Sequence, residues 1–287
     1  MKYLILGASG MAGHLITIYL KEQGEVVDAL ARRKLSFSDT IVLDITDFSK
    51  LEAIIKSNNY DYIINCIGIL NTSAENNRAN TILINSYLPH FLQEKTRSLK
   101  TRIIHMSTDC VFSGDTGHYS ENAIPDGESF YARTKALGEL NDTKNLTFRN
   151  SIIGPDINDK GIGLLNWFLK QTGEINGYTK SIWNGVTTLT LAKAIHSASY
   201  NKISGLYNLV NNEVTNKYEL LLLFKKYSNK NIIINKVDGV DHDKSLYNTR
   251  DDFSFIVPSF EDQIRDMFEW IKMHINLYSY DFTITKG

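Results

Sequence analysis

The chain has 287 residues, 43% hydrophobic and 22% charged, with a formal net charge of -1. That is the composition of a globular protein with one large α/β domain, or such a domain plus a smaller lobe, and it excludes a general electrostatic pull toward nucleic acid or membrane. No run approaches the roughly 18 apolar residues of a transmembrane helix. The opening "MKYLILGASG" is a short apolar run meeting glycines, so it reads as a strand and not as a signal peptide. Cys66 and Cys110 are the only cysteines and are far apart; they form no disulfide framework or metal-ligand spacing, which fits a cytoplasmic protein. The seven histidines are scattered, so no metal site is expected.

Apolar runs predict strands at 3–7, 25–30, 40–44, 60–68, 101–107 and 145–153. Helical patterns fall between them at about 11–23, 47–58, 76–97 and 128–141. Strands alternating with helices of this length indicate a parallel sheet covered on both faces, that is, a Rossmann-type doubly wound α/β fold. After Pro155 the pattern loosens into glycine-rich turns. Helices at 187–200, 216–228 and 259–275 and strands at 205–211 and 231–237 complete the chain. We expect residues 1–153 to form the nucleotide-binding domain, with 187–204 returning to it. Residues 154–186 and 205–287 would then form a smaller C-terminal substrate-binding lobe. The end, "NLYSYDFTITKG", reads as a terminal strand or a frayed tail.

The turn after the first strand, "LILGASGMAGHL", carries Gly7, Gly10 and Gly13. The first glycine permits a tight turn, the second lets backbone approach a pyrophosphate, and the third allows close helix packing. The helix N-terminus then faces the phosphates. At the end of the second strand, where a dinucleotide site usually offers a carboxylate, stands Ala31, about 18 residues past Gly13. Arg32 and Arg33 follow; they either pair with a 2′-phosphate, favouring NADPH over NADH, or belong to a solvated loop with Lys34. Asp44 either hydrogen-bonds the adenine or caps a helix.

"IIHMSTDCVFSG" ends the fifth strand, where parallel sheets deliver ligand-facing groups. There Thr108, or Ser107, is placed to hydrogen-bond a carbonyl oxygen. Tyr131 lies 23 residues on, and Lys135 four further, on one helix face in "SFYARTKALGE". A cation beside a phenol lowers its pKa, so hydroxyl, phenol and ammonium together suit proton delivery to a reduced carbonyl.

With "GASGMAG", "LDITD", "INCIG", "STDCVFSG", "YARTKALGE" and "FRNSIIG" in order, the chain resembles the extended short-chain dehydrogenase/reductases, and among them the dTDP-4-dehydrorhamnose reductase family. The resemblance implies NAD(P)H-dependent reduction of the 4-keto group of a nucleotide-activated 6-deoxy sugar for bacterial surface polysaccharide, with a homodimer left open. It assigns Thr108, Tyr131 and Lys135 as the catalytic trio and adds Ser9, Met11, Ile45, Cys66, Ile67, Gly68 and Asn85 to the cofactor set. Ser107, Asp109, Cys110, Val111, Arg149, Asn150, Trp183 and Arg250 form the expected substrate set. Trp183 and Tyr178 either stack on a base or pack in a core. Lys160, Lys244 and Arg250 either hold a diphosphate or are surface charge. Cys110 stands where the family usually has Tyr and where related dehydratases have the Glu that starts water elimination; a thiol replaces that base poorly. The segment "IWNGVTTLTLAKAI" lacks the proline the family often shows near Val186, which leaves the sugar open. The rivals are an epimerase on the same fold and a non-catalytic subunit resembling the regulatory subunit of methionine adenosyltransferase.

Overall fold

A computed structural model describes residues 1–280. Strand β1 (Lys2–Leu6) enters a seven-stranded sheet with β2 (Val26–Ala31), β3 (Thr40–Val42), β4 (Tyr62–Asn65), β5 (Arg102–Met106) and β6 (Leu146–Arg149). The spatial order is Gly205–Asn208, β6, β5, β4, β1, β2, β3, all parallel. Alternate residues of the central strands enter different cores: Tyr3 and Ile5 lie on one face with Ala29 and Ile64, Leu4 and Leu6 on the other with Leu30 and Ile63. Both faces are buried, which is why these strands read as unbroken apolar runs.

Helix α1 (Met11–Glu22) and helix Thr188–Asn201 cover the first face; α2 (Phe48–Ser57) and helix Leu88–Thr96 cover the second. The order in which strands are added reverses between β1 and β4, with β2 and β3 on one side of β1 and β4 to β6 on the other, and Leu6 pairs with both Leu30 and Asn65. The ends of three strands therefore stand level at a topological switch point, where open α/β sheets bind ligands. The glycine turn lies there.

A separate core of Leu165, Phe168, Trp183, Phe224, Met267 and Phe268, among others, forms the second lobe. Helices Leu164–Lys170, Lys217–Ser228 and Phe260–Met273 build it with the parallel pair Glu174–Tyr178 and Ile233–Val237.

Three expectations need correction. The strand at 205 does not belong to the second lobe: Gly205–Asn208 pairs with β6 as the edge of the main sheet. The apolar run 145–153 is two strands, because Asn150 and Ser151 intervene before Ile152–Ile153, which pairs with Val186–Thr187. The helix expected over 76–97 is broken at Asn77 and passes through a π-helical turn, Ile82–Tyr87, before Leu88–Thr96. Asn85 within that turn ties its amide to Ile69, a constraint a regular α-helical pattern does not reveal. Ile275–Leu277 is a 3-10 turn, and the remainder of the expected terminal strand or tail, 281–287, lies outside the described residues.

Candidate active site

Gly7 adopts φ +80°, open to glycine at no steric cost, and its carbonyl accepts from the Gly10 N–H at 2.9 Å. A Cβ on Gly13 would stand 2.2 Å from the Gly7 carbonyl oxygen, so only glycine lets α1 pack this close to β1. Gly10 caps α1 without a side chain, leaving the helix N-terminus bare.

A cleft of about 330 Å³ opens above this turn. Of the expected cofactor residues, Gly7, Ser9, Gly10, Arg32, Asp44, Ile45, Cys66, Ile67 and Gly68 line it. Ala31 lines it too, so no carboxylate stands at the end of β2. Asp44 also makes a local turn, accepting from the Thr46 N–H at 3.0 Å and its hydroxyl at 2.7 Å. These bonds, backbone first, with Arg32 adding to them, hold its carboxyl below the usual range. Ile69, Asn80 and Ile84 were missed by the sequence reading; they come from the loop after β4 and the irregular helix behind it.

Other expected cofactor residues stand elsewhere. Gly13 is packing beneath the turn. Arg33 is exposed beyond Arg32. Met11 faces the second lobe, its Sδ 3.1 Å from where a Gly163 Cβ would sit. Asn85 is fully buried, its amide accepting from the Ile69 N–H at 2.8 Å and donating to the Ile69 carbonyl at 2.9 Å. It shapes the loop that lines the cleft and does not face a ligand.

The second half of the site lies at the end of β5. Thr108, in extended backbone, accepts from the Cys110 N–H at 3.1 Å and donates to Asp109 Oδ1 at 3.0 Å. Its neighbour Ser107 donates instead to Glu139 Oε1 at 2.7 Å. Of the two hydroxyls, Thr108 is the one near enough to the Tyr131 phenol to act on its proton affinity. Ser129 caps helix Phe130–Leu137, accepting from the Ala132 N–H at 3.1 Å, and this fixes where Tyr131 and Lys135 emerge.

The charge relationship differs from the sequence expectation. Burial pushes the Tyr131 phenol above its ordinary range, Cys110 and Asp109 add to this, and Thr108 opposes it. Lys135 is held by β5. Its Nζ donates to the Met106 carbonyl at 2.6 Å and lies 3.4 Å from His105 Nε2. Burial lowers Lys135 to about 8, against the opposing charges of Glu139 and Cys66. Burial also pushes the thiols of Cys66 and Cys110 up to about 12.

Several members of the expected substrate set are structural. Arg149 is buried and bound to Glu139 and the Glu121 carbonyl. Val111 is fully buried beside Phe112. Trp183 donates to Ser151 Oγ at 2.9 Å and packs on Phe260, within the second core. Arg250 donates to the Ser204 and Leu206 carbonyls and pairs with Asp252, at the start of the edge strand and so at the wrong end of the sheet for substrate. Each was plausible from its residue type, and tertiary packing claimed it. Asp109 and Cys110 stay half-buried beside Tyr131. Asn150, buried just past β6, has an amide nitrogen with no partner among the described residues. Lys244 lies over the turn at Gly114, close enough to influence Cys110, whereas Lys160 is exposed on a loop and Tyr178 packs on Gly239.

No group of three or more His, Cys, Asp or Glu placed to hold a metal occurs among the described residues, and none of their helices is long and apolar enough to cross a membrane.

A parallel sheet with its glycine turn at the switch point defines a Rossmann-type doubly wound fold. The family described as the RmlD substrate binding domain matches residues 1–250, and the chain belongs to that family. It is 31% identical over 140 residues to the dTDP-4-keto-6-deoxy-D-glucose reductase of Streptomyces niveus, covering 48% of this chain and 46% of that protein. The chain thus spans about half the length of the curated relatives it matches. A hypothetical dTDP-4-dehydrorhamnose reductase from Sulfolobus tokodaii is 25% identical with a TM-score of 0.76, covering 91% of this chain and 98% of that one. The dTDP-4-dehydrorhamnose reductase of Bacillus anthracis, solved in complex with NADP, has a TM-score of 0.80, 20% identity and coverage of 94% and 99%; at that identity the likeness is one of fold.

Proposed function

We propose that this chain is a cytoplasmic NADPH-dependent reductase acting on the keto group of a nucleotide-activated 4-keto-6-deoxy sugar, supplying precursors of a bacterial surface polysaccharide. The observation that carries this reading is the grouping of the Thr108 hydroxyl, Tyr131 phenol and Lys135 amine at the end of β5, beside the nucleotide cleft. The names of the relatives, reductases of dTDP-linked keto sugars, support the substrate class. The cleft fits a dinucleotide: Gly7 and Gly10 leave room for a pyrophosphate, and Arg32 with no carboxylate at the end of β2 suits a 2′-phosphate. When bound, NADPH would supply the hydride.

The protein's part is proton delivery and orientation. Thr108 hydrogen-bonds the carbonyl oxygen. Tyr131, kept protonated by burial, donates its proton to that oxygen as it becomes an alcohol. Lys135 supplies positive charge nearby below about pH 8. Cys110, protonated at neutral pH, is no base for water elimination, which favours reduction over dehydration. Asn150, with its free amide nitrogen, and Lys244 are candidates to meet the sugar nucleotide.

The test is NADPH and NADH oxidation with dTDP-, UDP-, GDP- and CDP-linked 4-keto-6-deoxy sugars, with Tyr131→Phe alongside. Turnover with one nucleotide, lost in Tyr131→Phe while NADPH still binds, supports the reading. NADPH binding with no turnover on the whole panel would favour a regulatory subunit, and no dinucleotide binding would overturn the account of the cleft.

A further inference from the structure

His105, fully buried on β5, has no part in the reaction described above, yet it lies between Asn65 and Lys135. Asn65 Oδ1 accepts from the Ile67 N–H at 3.2 Å, which turns the amide nitrogen toward His105 Nδ1 at 3.1 Å. An amide nitrogen only donates, so Nδ1 accepts and the neutral ring carries its proton on Nε2. That proton points at Lys135 Nζ, 3.4 Å away. An ammonium has no lone pair to receive it, whereas a neutral amine does.

We propose that His105 is a positioning residue for Lys135: locked by Asn65, it offers its Nε2 proton to the lysine nitrogen, favours the neutral amine and leaves the Met106 carbonyl as the acceptor for the ammonium. The assignment deepens the reductase reading, on which the role of Lys135 rests. Burial and the charge of Lys135 keep His105 from taking a second proton, and His90 acts in the same direction from helix Leu88–Thr96. Glu139 and Cys66 are the groups that favour the ammonium, and they act against His105.

The test is NMR on the full chain. Histidine ¹⁵N spectra should contain one neutral imidazole protonated at Nε2 that does not titrate near neutral pH and disappears in His105→Phe. The Lys135 Cε signal, assigned with Lys135→Met, should titrate below the ordinary lysine range. Asn65→Asp keeps an acceptor for the Ile67 N–H but accepts from the ring, moving the proton to Nδ1 and making Nε2 an acceptor for the ammonium. It should raise the Lys135 midpoint by about one pH unit, a tenfold change in proton affinity. The same rise in Asn65→Asp/His105→Phe would assign the effect to the new carboxylate alone and overturn the proposal. A wild-type ring protonated at Nδ1, or charged, would overturn it without any variant. Neither signal needs turnover, so an inactive protein would sink the reductase reading and leave this measurement standing.

Discussion

The guanidinium of Arg149 lies along the carboxylate of Glu139, Nε to Oε1 at 2.7 Å and Nη2 to Oε2 at 2.6 Å, with 3% and 8% of the two side chains exposed. Glu139 also accepts from Ser107, so this pair ties the end of β6 to the residues flanking Thr108. Arg149→Met leaves a buried carboxylate without its partner and should cost about 3–5 kcal/mol in urea unfolding. Arg149→Met/Glu139→Leu should recover most of that loss, because a matched apolar pair needs no desolvation. A single variant as stable as the parent but with a raised KM would instead return Arg149 to the substrate site.

Lys135 should be a stability liability. Its displacement from 10.5 to about 8 corresponds to roughly 3 kcal/mol of unfavourable burial at neutral pH. The folded value lies below the unfolded one, so the unfolded chain holds more protons between pH 8 and 10.5, and stability should rise with pH through that window. Lys135→Met should remove the rise and stabilise the protein by about 2 kcal/mol, the lost bond to Met106 offsetting about 1. Calorimetry across that pH range checks the sign; a Lys135→Met variant less stable than the parent at pH 7 contradicts it.

Tyr131→Phe keeps the ring and removes the proton. Single-turnover reduction should fall about 10²–10⁴-fold, the usual contribution of general acid catalysis, with NADPH affinity unchanged. Because the phenol sits above its ordinary range, the parent's basic limb should follow Lys135 near pH 8 and not Tyr131.

Arg32 lines the cleft and Arg33 stands outside it. Arg32→Ala should weaken NADPH binding about 10–100-fold, the range of a charge-assisted hydrogen bond, and leave NADH nearly unaffected. Arg33→Ala should change either by less than about threefold. Fluorescence titration of both dinucleotides separates the two arginines.

Gly13→Ala places a methyl carbon 2.2 Å from the Gly7 carbonyl oxygen, and both are backbone-bound, so the turn must shift. Dinucleotide binding should be lost with a destabilisation of about 1–3 kcal/mol. Gly24→Ala, at φ +80° with open space around it, should cost stability alone.

Local pattern determined much of this protein. Unbroken apolar strands, the spacing of Gly7, Gly10 and Gly13, and the i,i+4 placement of Tyr131 and Lys135 specify a doubly wound sheet, a tight glycine turn at its switch point and a helix carrying both side chains, because each depends on backbone geometry within a few residues. Contacts between distant segments were decided only on folding. Arg149, Trp183 and Arg250 have the chemistry of substrate residues, yet Glu139, Ser151 and the 204–206 carbonyls claim them. Asn85 lies in a π-helical turn, its amide tied to Ile69 from a distant loop. The sequence places Lys135 on the same helix face as Tyr131, but the Met106 carbonyl and the ring of His105 on β5 decide where its charge points. A buried polar group takes the partner that tertiary packing brings within reach, and sequence spacing carries no record of that partner.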